Sequence, residues 1–204
     1  MKIYGDVISP FTRAALVAAH EVGLGEKVAH VRETVTPTQA NPKLTALSPI
    51  GKIPVLETDH SHPIYDSRVI IEYLCHVSGN SALIPDDGVK RFRVLTLLAL
   101  AQGLADAAVG LRYETAARPK GLQWPEWMER VRERMTDALD DLEDQWESCL
   151  AEVNAGSIMT ASVLSYLDYR YADIKWRNNR PKLAAFHETF SQRDSMVKTA
   201  LPST

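Results

Sequence analysis

The sequence predicts an α/β plus all-α fold, in which a small unit of strands and helices precedes a bundle of helices. Residues 2–8 form a short apolar and aromatic run that an alanine-rich helical stretch follows, and a second strand pattern surrounds Val55. From residue 89 onward the chain shows only long helical patterns. We therefore expect a mixed domain over residues 1–77, a linker over 78–88 and an all-helical domain over 89–204.

The first helix begins at a serine followed by a proline. Pro10 suits the first helical position because that position needs no N–H donor, and Ser9 is then the N-cap residue. The hydroxyl of Ser9 faces the free amides of the first turn, and these amides and the helix dipole favour negative charge. The helix continues through residues 14–24. This arrangement favours an anion or thiolate site at Ser9, although a serine that only caps the helix would give the same pattern.

A hairpin followed by a helix is predicted in the second half of the first unit. Residues 48–58 are a loop that leads into a strand, 59–62 a turn and 63–65 a second short strand. The helix that follows covers 68–76, with Ser67 as its N-cap residue and Asp66 beside the same positive helix end. Pro54 stands at the start of the strand. An X-Pro bond adopts the cis form at a cost of about 0.5–1 kcal/mol, so the residues leave the isomer open.

The rest of the chain is predicted to form four long helices, separated from the first unit by a polar stretch rich in glycine and proline. These helices cover residues 89–113, 125–153, 157–174 and 181–192.

Composition excludes several functional classes. The chain has 204 residues, 45% of them hydrophobic, and a formal net charge of −3. It has no excess of basic residues that would favour binding to nucleic acid, and no polybasic run that would favour an anionic membrane surface. Cys75 and Cys149 are too few and too far apart for a disulfide framework. A strand-like pattern follows Met1-Lys2 directly, and there is no run of about 18 uninterrupted apolar residues, so we expect neither secretion nor a membrane span. We expect a cytoplasmic protein that binds neither nucleic acid nor a membrane.

Other local patterns do not indicate a functional site. His60 and His62 have metal-ligand spacing but fall in a predicted turn with no cysteine nearby, so we predict a solvated loop and no metal site. Charges alternate at helical spacing over residues 126–147, which is typical of an exposed helix face. Gly103 and Gly110 lie inside a helical run and lack the context of a phosphate loop.

Three motifs, in this order and spacing, resemble the N-terminal domain of soluble (cytosolic) glutathione S-transferases, and more closely the bacterial serine-type members. They are Ser9-Pro10, Gly51-Lys52-Ile53-Pro54-Val55-Leu56 and Tyr65-Asp66-Ser67-Arg68. The resemblance covers nearly the whole chain. It implies a thioredoxin-like domain that binds glutathione, followed by a helical bundle domain that contributes the electrophile pocket.

The resemblance also implies how glutathione is bound. The bond before Pro54 would be cis, and the backbone of Ile53 would bind the cysteinyl part. Asp66 would take the ammonium of the γ-glutamyl end, while Ser67 and its helix start would take the carboxylate. Charge-assisted contacts of this kind contribute about twice as much as neutral hydrogen bonds. The implied glutathione-binding residues are Phe11, Lys52, Ile53, Pro54, Asp66 and Ser67.

The sulfur needs a donor, because a thiol with a pKa of about 8.5 is mostly protonated at neutral pH and only the thiolate is a strong nucleophile. The resemblance gives this catalytic role to Ser9, whose hydroxyl would donate to the sulfur. Tyr4 is a rival donor, but it falls early in the strand, before the turn. Cysteine at this position would indicate thiol-disulfide exchange, and no cysteine occupies the first helical turn.

The predicted function is a glutathione transferase that adds the thiolate of its co-substrate to a small, apolar electrophile. Tyr113, Trp124 and Trp127 are the candidate residues of the electrophile pocket, although such aromatic side chains also serve simple packing. The alternative is a non-catalytic protein on the same fold that binds glutathione, another ligand or a partner, since fold alone does not set activity. The resemblance also implies a homodimer.

Overall fold

The predicted order of a mixed unit followed by helices is confirmed in the computed structural model, which describes residues 1–59 and 62–202. The described part of the first unit contains three short strands and three α-helices. They are β1 (Lys2–Tyr4), α1 (Pro10–Glu21), β2 (Ala29–Val31), α2 (Pro42–Leu47), β3 (Val55–Glu57) and α3 (Ser67–Ser78).

The sheet is mixed, with strand order β2-β1-β3. β1 pairs in parallel with β2 and antiparallel with β3, so that Ile3 lies between His30 and Leu56. Ile3 and Leu56 are fully buried. The predicted hairpin is reduced to one antiparallel bridge between Leu56 and Ile64, and residues 60–61 of its turn lie outside the described residues.

α1 follows the sheet and is almost completely buried. Four alanines, Ala14, Ala15, Ala18 and Ala19, have exposed fractions of 0–1%. Their small side chains let α1 lie close to its neighbours, and α1 packs against both α3 and a helix of the second unit. The helix that carries Ser9 is therefore held on several sides.

Six α-helices make up most of the described part of the second unit. They are α4 (Gly88–Ala116), α5 (Pro125–Gln145), α6 (Glu147–Leu150), α7 (Ala155–Arg170), α8 (Pro181–Ser191) and α9 (Asp194–Lys198). Between α3 and α4 the predicted linker has no helix or strand, but Leu83 and Ile84 are buried, and the carbonyl of Leu83 accepts a hydrogen bond from the amide of Ala155. The connection therefore packs against the start of α7.

α7 is the central helix of the fold, and it packs against both α4 and α1. Its predicted start at Ser157 is wrong. The N-cap residue is Asn154, whose side-chain oxygen accepts from the amide of Ser157, while the Ser157 hydroxyl oxygen accepts from the amide of Asn154, both at 2.9 Å. With this reciprocal capping box the helix begins at Ala155, two residues before the predicted start.

α4 is long and apolar enough to cross a membrane by length and composition alone. Half of its most apolar 18-residue window is buried inside the fold, where it packs against α5 and α7. Both features are typical of a core helix.

Candidate functional site

A cleft of about 350 Å³ lies between the first unit and the middle of α4. Its walls come from the start of α1, the segment before β3, the start of α3 and one face of α4. The lining residues are Phe11, Ser48, Ile50, Lys52, Ile53, Pro54, Tyr65, Asp66, Ser67, Arg68, Ala99, Gln102, Gly103 and Asp106. All six residues predicted to bind glutathione are among them.

Ser9 is the N-cap residue of α1, as predicted, and lies two residues before Phe11 without lining the cleft itself. Its backbone is extended, and its half-buried Oγ accepts a hydrogen bond from the amide of Thr12 at 3.4 Å. Because this contact uses an oxygen lone pair, the hydroxyl proton is left to donate elsewhere.

Asp6 fixes the turn that leads to Ser9. Its carbonyl accepts from the amide of Ser9, its Oδ1 accepts from the amide of Ile8, and its Oδ2 accepts from Nε of Arg32 at 3.0 Å. The Asp6 side chain is buried. The position of the Ser9 hydroxyl therefore depends on a carboxylate that has its own partners.

Tyr4, the rival donor, is already engaged. Its hydroxyl donates to Oε2 of Glu57 at 2.9 Å across the β1–β3 pair. Burial and this neighbouring carboxylate both raise the pKa of Tyr4. A tyrosine whose proton is committed to a carboxylate is a poor donor to a thiolate.

The segment before β3 offers free backbone groups to the cleft. The Ile53-Pro54 bond is cis, as the resemblance implied. Among the described residues, nothing forms a hydrogen bond with the backbone N–H or C=O of Ile53. Ile53 therefore presents an unpaired donor and an unpaired acceptor at the cleft wall.

The start of α3 differs from its prediction. The N-cap residue is Asp66, whose Oδ1 accepts from the amide of Arg68 at 3.0 Å, and Ser67 is the first helical residue. The prediction of Ser67 as the cap was therefore wrong. Ser67 is buried, and its Oγ accepts from Nε2 of Gln102 in α4 at 3.1 Å. This contact leaves the Ser67 proton free to donate and joins α3 to α4 across the floor of the cleft.

Sequence reasoning missed several lining residues, and Asp106 has the clearest chemistry of these. Partial desolvation in the cleft raises the pKa of Asp106, while the charges of Lys52 and Arg68 oppose this shift and the charge of Asp66 reinforces it. The cleft thus holds two acidic and two basic side chains. The sequence could have indicated this residue, because Asp106 is an aspartate inside an otherwise apolar helical stretch. An aspartate there predicts a helix face that is not packed in the core.

The three candidate electrophile residues do not line this cleft. The side chain of Trp124 is 62% exposed, and the backbone amide of Trp124 donates to Glu114. Trp127 packs against the core, and Tyr113 is partly buried, which raises its pKa. Tyr113 lies seven residues after Asp106 and thus on the same face of α4, about 10 Å further along the helix.

No group of three or more His, Cys, Asp or Glu side chains converges as a metal site within residues 1–59 and 62–202. His60, one half of the H-x-H pair, lies outside the described residues.

Two family models match the chain. The model of the glutathione S-transferase N-terminal domain matches residues 8–77, and that of the glutathione S-transferase C-terminal domain matches residues 125–189. Among curated proteins, the chain is 30% identical over 205 residues to an uncharacterized GST-like protein, YibF, of Escherichia coli strain K12, with 99% of each covered.

Solved structures are similar over the full length. A glutathione transferase family member from Pseudomonas fluorescens Pf-5 with bound glutathione is 38% identical, has a TM-score of 0.96 and matches over 99% of both chains. A glutathione S-transferase from Methylobacillus flagellatus KT with GSH bound is 29% identical, with a TM-score of 0.83 and 98% of both chains covered. With its two domain models matched in order and a relative aligned end to end, the chain belongs to the soluble glutathione S-transferase family.

Proposed function

We propose that this protein is a glutathione transferase that holds the co-substrate's sulfur as a thiolate and adds it to a small, apolar electrophile. One observation carries this proposal: the six residues expected to bind glutathione, which come from three separate segments, all line one cleft beside the start of α1. The family member from Pseudomonas fluorescens, solved with bound glutathione and 38% identical, supports the same ligand here.

The charges and free hydrogen-bonding groups of the cleft suit the parts of glutathione. The Ile53 backbone would pair with the cysteinyl residue, because neither its N–H nor its C=O has a partner among the residues that the structure describes. Asp66 would take the γ-glutamyl ammonium. Ser67 and the first amides of α3 would take the carboxylate, because a helix N-terminus favours an anion. Lys52 is a further cation, and Phe11 and Pro54 supply apolar walls.

Ser9 would act on the sulfur. Its hydroxyl accepts from Thr12 and has a proton to donate, and the helix dipole of α1 favours the same negative charge. Lowering a thiol pKa by one to two units needs only about 1.4–2.7 kcal/mol, which one donor in a partly dry site can provide. The protein then contributes proximity, and no covalent enzyme intermediate is required.

The electrophile would bind further along the same face of α4. A Cβ at Gly110 would lie 3.7 Å from the Trp127 ring, so Trp127 lies against this face, one turn before Tyr113. We therefore keep Tyr113 and Trp127 as pocket residues. Trp124, exposed and held through its backbone, has the weakest support of the three.

The ultraviolet absorption band of the thiolate tests the role of Ser9. Titration of the glutathione complex with pH should give a bound thiol pKa below about 8.5 in the wild type, and Ser9→Ala should raise that pKa by about one to two units. Tyr4→Phe is the matched control, as it also removes one hydroxyl but one that donates to Glu57. The bound thiol pKa should stay unchanged in this control.

An unchanged thiol pKa in Ser9→Ala would remove Ser9 from the mechanism, and a shift in Tyr4→Phe alone would give its role to Tyr4. Turnover with a panel of apolar electrophiles then separates the two functional classes. A thiolate band without conjugation of any electrophile would favour the non-catalytic binding protein.

We further propose that the protein works in the cytoplasm as a homodimer in the detoxification of small molecules, without nucleic acid or membrane partners. The net charge of −3 does not favour binding to nucleic acid, which is itself negatively charged. Exposed apolar side chains on α3 and at the start of α4 support a dimer contact. They are Val69, Val77, Val89 and Phe92.

A further inference from the structure

A second cavity, of about 610 Å³, lies between α8 and the corner where α5, α6 and the start of α7 meet. It shares no lining residue with the glutathione cleft. Pockets that hold small organic ligands typically measure about 300–1,000 Å³, so the volume suits a molecule of that size.

The walls of this cavity are mainly aliphatic and aromatic. Leu142, Leu150 and Val153 come from the corner of α5 and α6, and Phe186 and Phe190 from α8. The two phenylalanine rings lie 5.3 Å apart between centroids, at 47° to each other. Such rings present a negative face to a cation. The guanidinium of Arg193 already lies 5.6 Å from the Phe190 ring centroid.

Some charged side chains at the rim of the cavity have ion-pair partners and one does not. Nζ of Lys182 pairs with Oε2 of Glu147 at 3.2 Å. The Arg193 guanidinium makes two hydrogen bonds of 2.8 Å to the carboxylate of Glu21, which lies outside the lining. Both cations at the rim are therefore already paired.

The remaining charge at the rim is Glu152. Its carboxylate has no ion pair or hydrogen bond within the described part of the chain. Its backbone is fixed, because the carbonyl of Glu152 accepts from Nδ2 of the buried Asn154 at 3.2 Å. The cavity thus presents apolar and aromatic walls and one uncommitted negative charge, carried on a backbone that is held in place.

We propose that this cavity binds an amphipathic organic cation, with its apolar body against the α8 phenylalanines and its ammonium group at Glu152. A hydrophobic anion would meet two cations that already have carboxylate partners and one carboxylate that repels it. A neutral apolar molecule would gain from the walls alone. The charge at the rim therefore selects among ligands that the walls would otherwise accept equally.

Three probes with the same aromatic body test this selection: 1-naphthylmethylammonium, 1-naphthalenemethanol and 1-naphthylacetate. Calorimetry on the full chain should give an affinity for the ammonium at least about fivefold above that for the alcohol, with the carboxylate weakest. High salt should reduce the preference for the ammonium, since the rim is exposed to solvent. Amide chemical shifts in NMR spectra should move in α6 and α8.

Variants locate the site. Glu152→Gln should lower the affinity for the ammonium to that for the alcohol and leave the alcohol unchanged, whereas Glu188→Gln, on α8 but outside the lining, should change neither. Ala185→Trp, at an exposed lining position, should fill the cavity and weaken all three probes. Equal affinity for the three probes, a preference for the carboxylate, or shifts confined to the residues around Asp66 would each overturn the proposal.

Discussion

The buried imidazole of His187 shows how the direction of a hydrogen bond limits what a single residue can do. Its Nε2 lies 2.9 Å from Oγ of Ser165, a distance that would suit a serine nucleophile and its base. However, Arg177 faces Nδ1 at 3.3 Å and can only donate, so Nδ1 is the acceptor and Nε2 carries the proton. Ser165 therefore accepts from His187, and its own proton goes to the carbonyl of Ala161. The pair is a structural contact.

The same burial predicts a pH effect on stability. Desolvation lowers the pKa of His187 to about 4, and the charge of Arg177 acts in the same direction against the opposing effect of Asp168. In the unfolded chain the pKa is about 6.5, so below pH 6.5 the unfolded state binds a proton that the folded state does not. The free energy of unfolding should therefore fall as pH drops from 6.5 to 4, by up to about 3 kcal/mol from this group.

Urea unfolding followed by tryptophan fluorescence between pH 4 and 8 measures this effect. His187→Gln should lose stability at pH 8 but show a shallower decline between pH 6.5 and 4 than the wild type. If the two stability curves run parallel through that window, the imidazole is not held neutral by burial.

The residues of the site illustrate what sequence can and cannot predict. Ser9 was predictable, because a serine before a proline defines the start of a helix by local chemistry alone. At the next helix both Asp66 and Ser67 are good capping residues, and the sequence does not choose between them. In the structure Asp66 is the cap, and the Ser67 hydroxyl instead accepts from Gln102, 35 residues away in sequence. Asp106 was missed for the same reason, as its neighbours in the cleft come from other segments.

At the scale of elements, replacing a helical glycine with alanine should have opposite effects on stability at two positions. Gly103 lies in the middle of α4 at an exposed position, where a Cβ would meet no atom within 4 Å. Gly103→Ala should therefore raise the free energy of unfolding by about 0.5–1 kcal/mol, because alanine has the higher helix propensity. Gly156, in α7, is buried, and a Cβ there would lie 2.6 Å from Cγ of Leu97 in α4.

Gly156→Ala should therefore lower the free energy of unfolding by about 1–3 kcal/mol, since α4 and α7 must move apart to admit one methyl group. Denaturant titration of both variants gives the comparison. The two changes are chemically identical, so only packing separates them. A stabilised Gly156→Ala variant would show that the contact between α4 and α7 is looser than its geometry indicates.

Long helices were predictable, whereas the shortest helices were not. The period of apolar residues predicted α4, α5, α7 and α8, but the single helix predicted over 125–153 breaks at Trp146. There the indole donates to Asp141 and the guanidinium of Arg93 lies 4.1 Å from the ring centroid, so contacts with another helix stabilise the break. α2 and α9 have six and five residues, which is too short for a periodic pattern to be recognised.

At the scale of the whole molecule, the end of the chain supports the helix that carries the site. The buried guanidinium of Arg13 donates to the carbonyl of Met196 at 3.2 Å. At the other end of α1, Glu21 accepts from both Arg193 and Ser195, which lowers the pKa of Glu21. α1 is thus held between the sheet on one side and α7 and α9 on the other. The two units cooperate in placing Ser9.

The proposed homodimer makes a prediction at this scale. Val89 and Phe92, at the start of α4, are 84% and 69% exposed, and Arg91 between them pairs with Glu72 of α3 at 2.6 Å. This ion pair joins the start of α4 to α3, and burying the exposed apolar side chains of both helices against a second copy would remove this apolar surface from water. Light scattering at micromolar concentration should give the mass of a dimer for the wild type.

Phe92→Glu should shift this mass towards that of the 22.7 kDa monomer, because a carboxylate cannot be buried in an apolar contact without a partner. Leu122→Glu is the matched control, as Leu122 is 67% exposed in the connection between α4 and α5. The control should remain a dimer. A monomeric wild type would contradict the proposal outright, whereas a dimer that survives Phe92→Glu but not Leu122→Glu would move the interface from the α3 and α4 faces to the other end of α4.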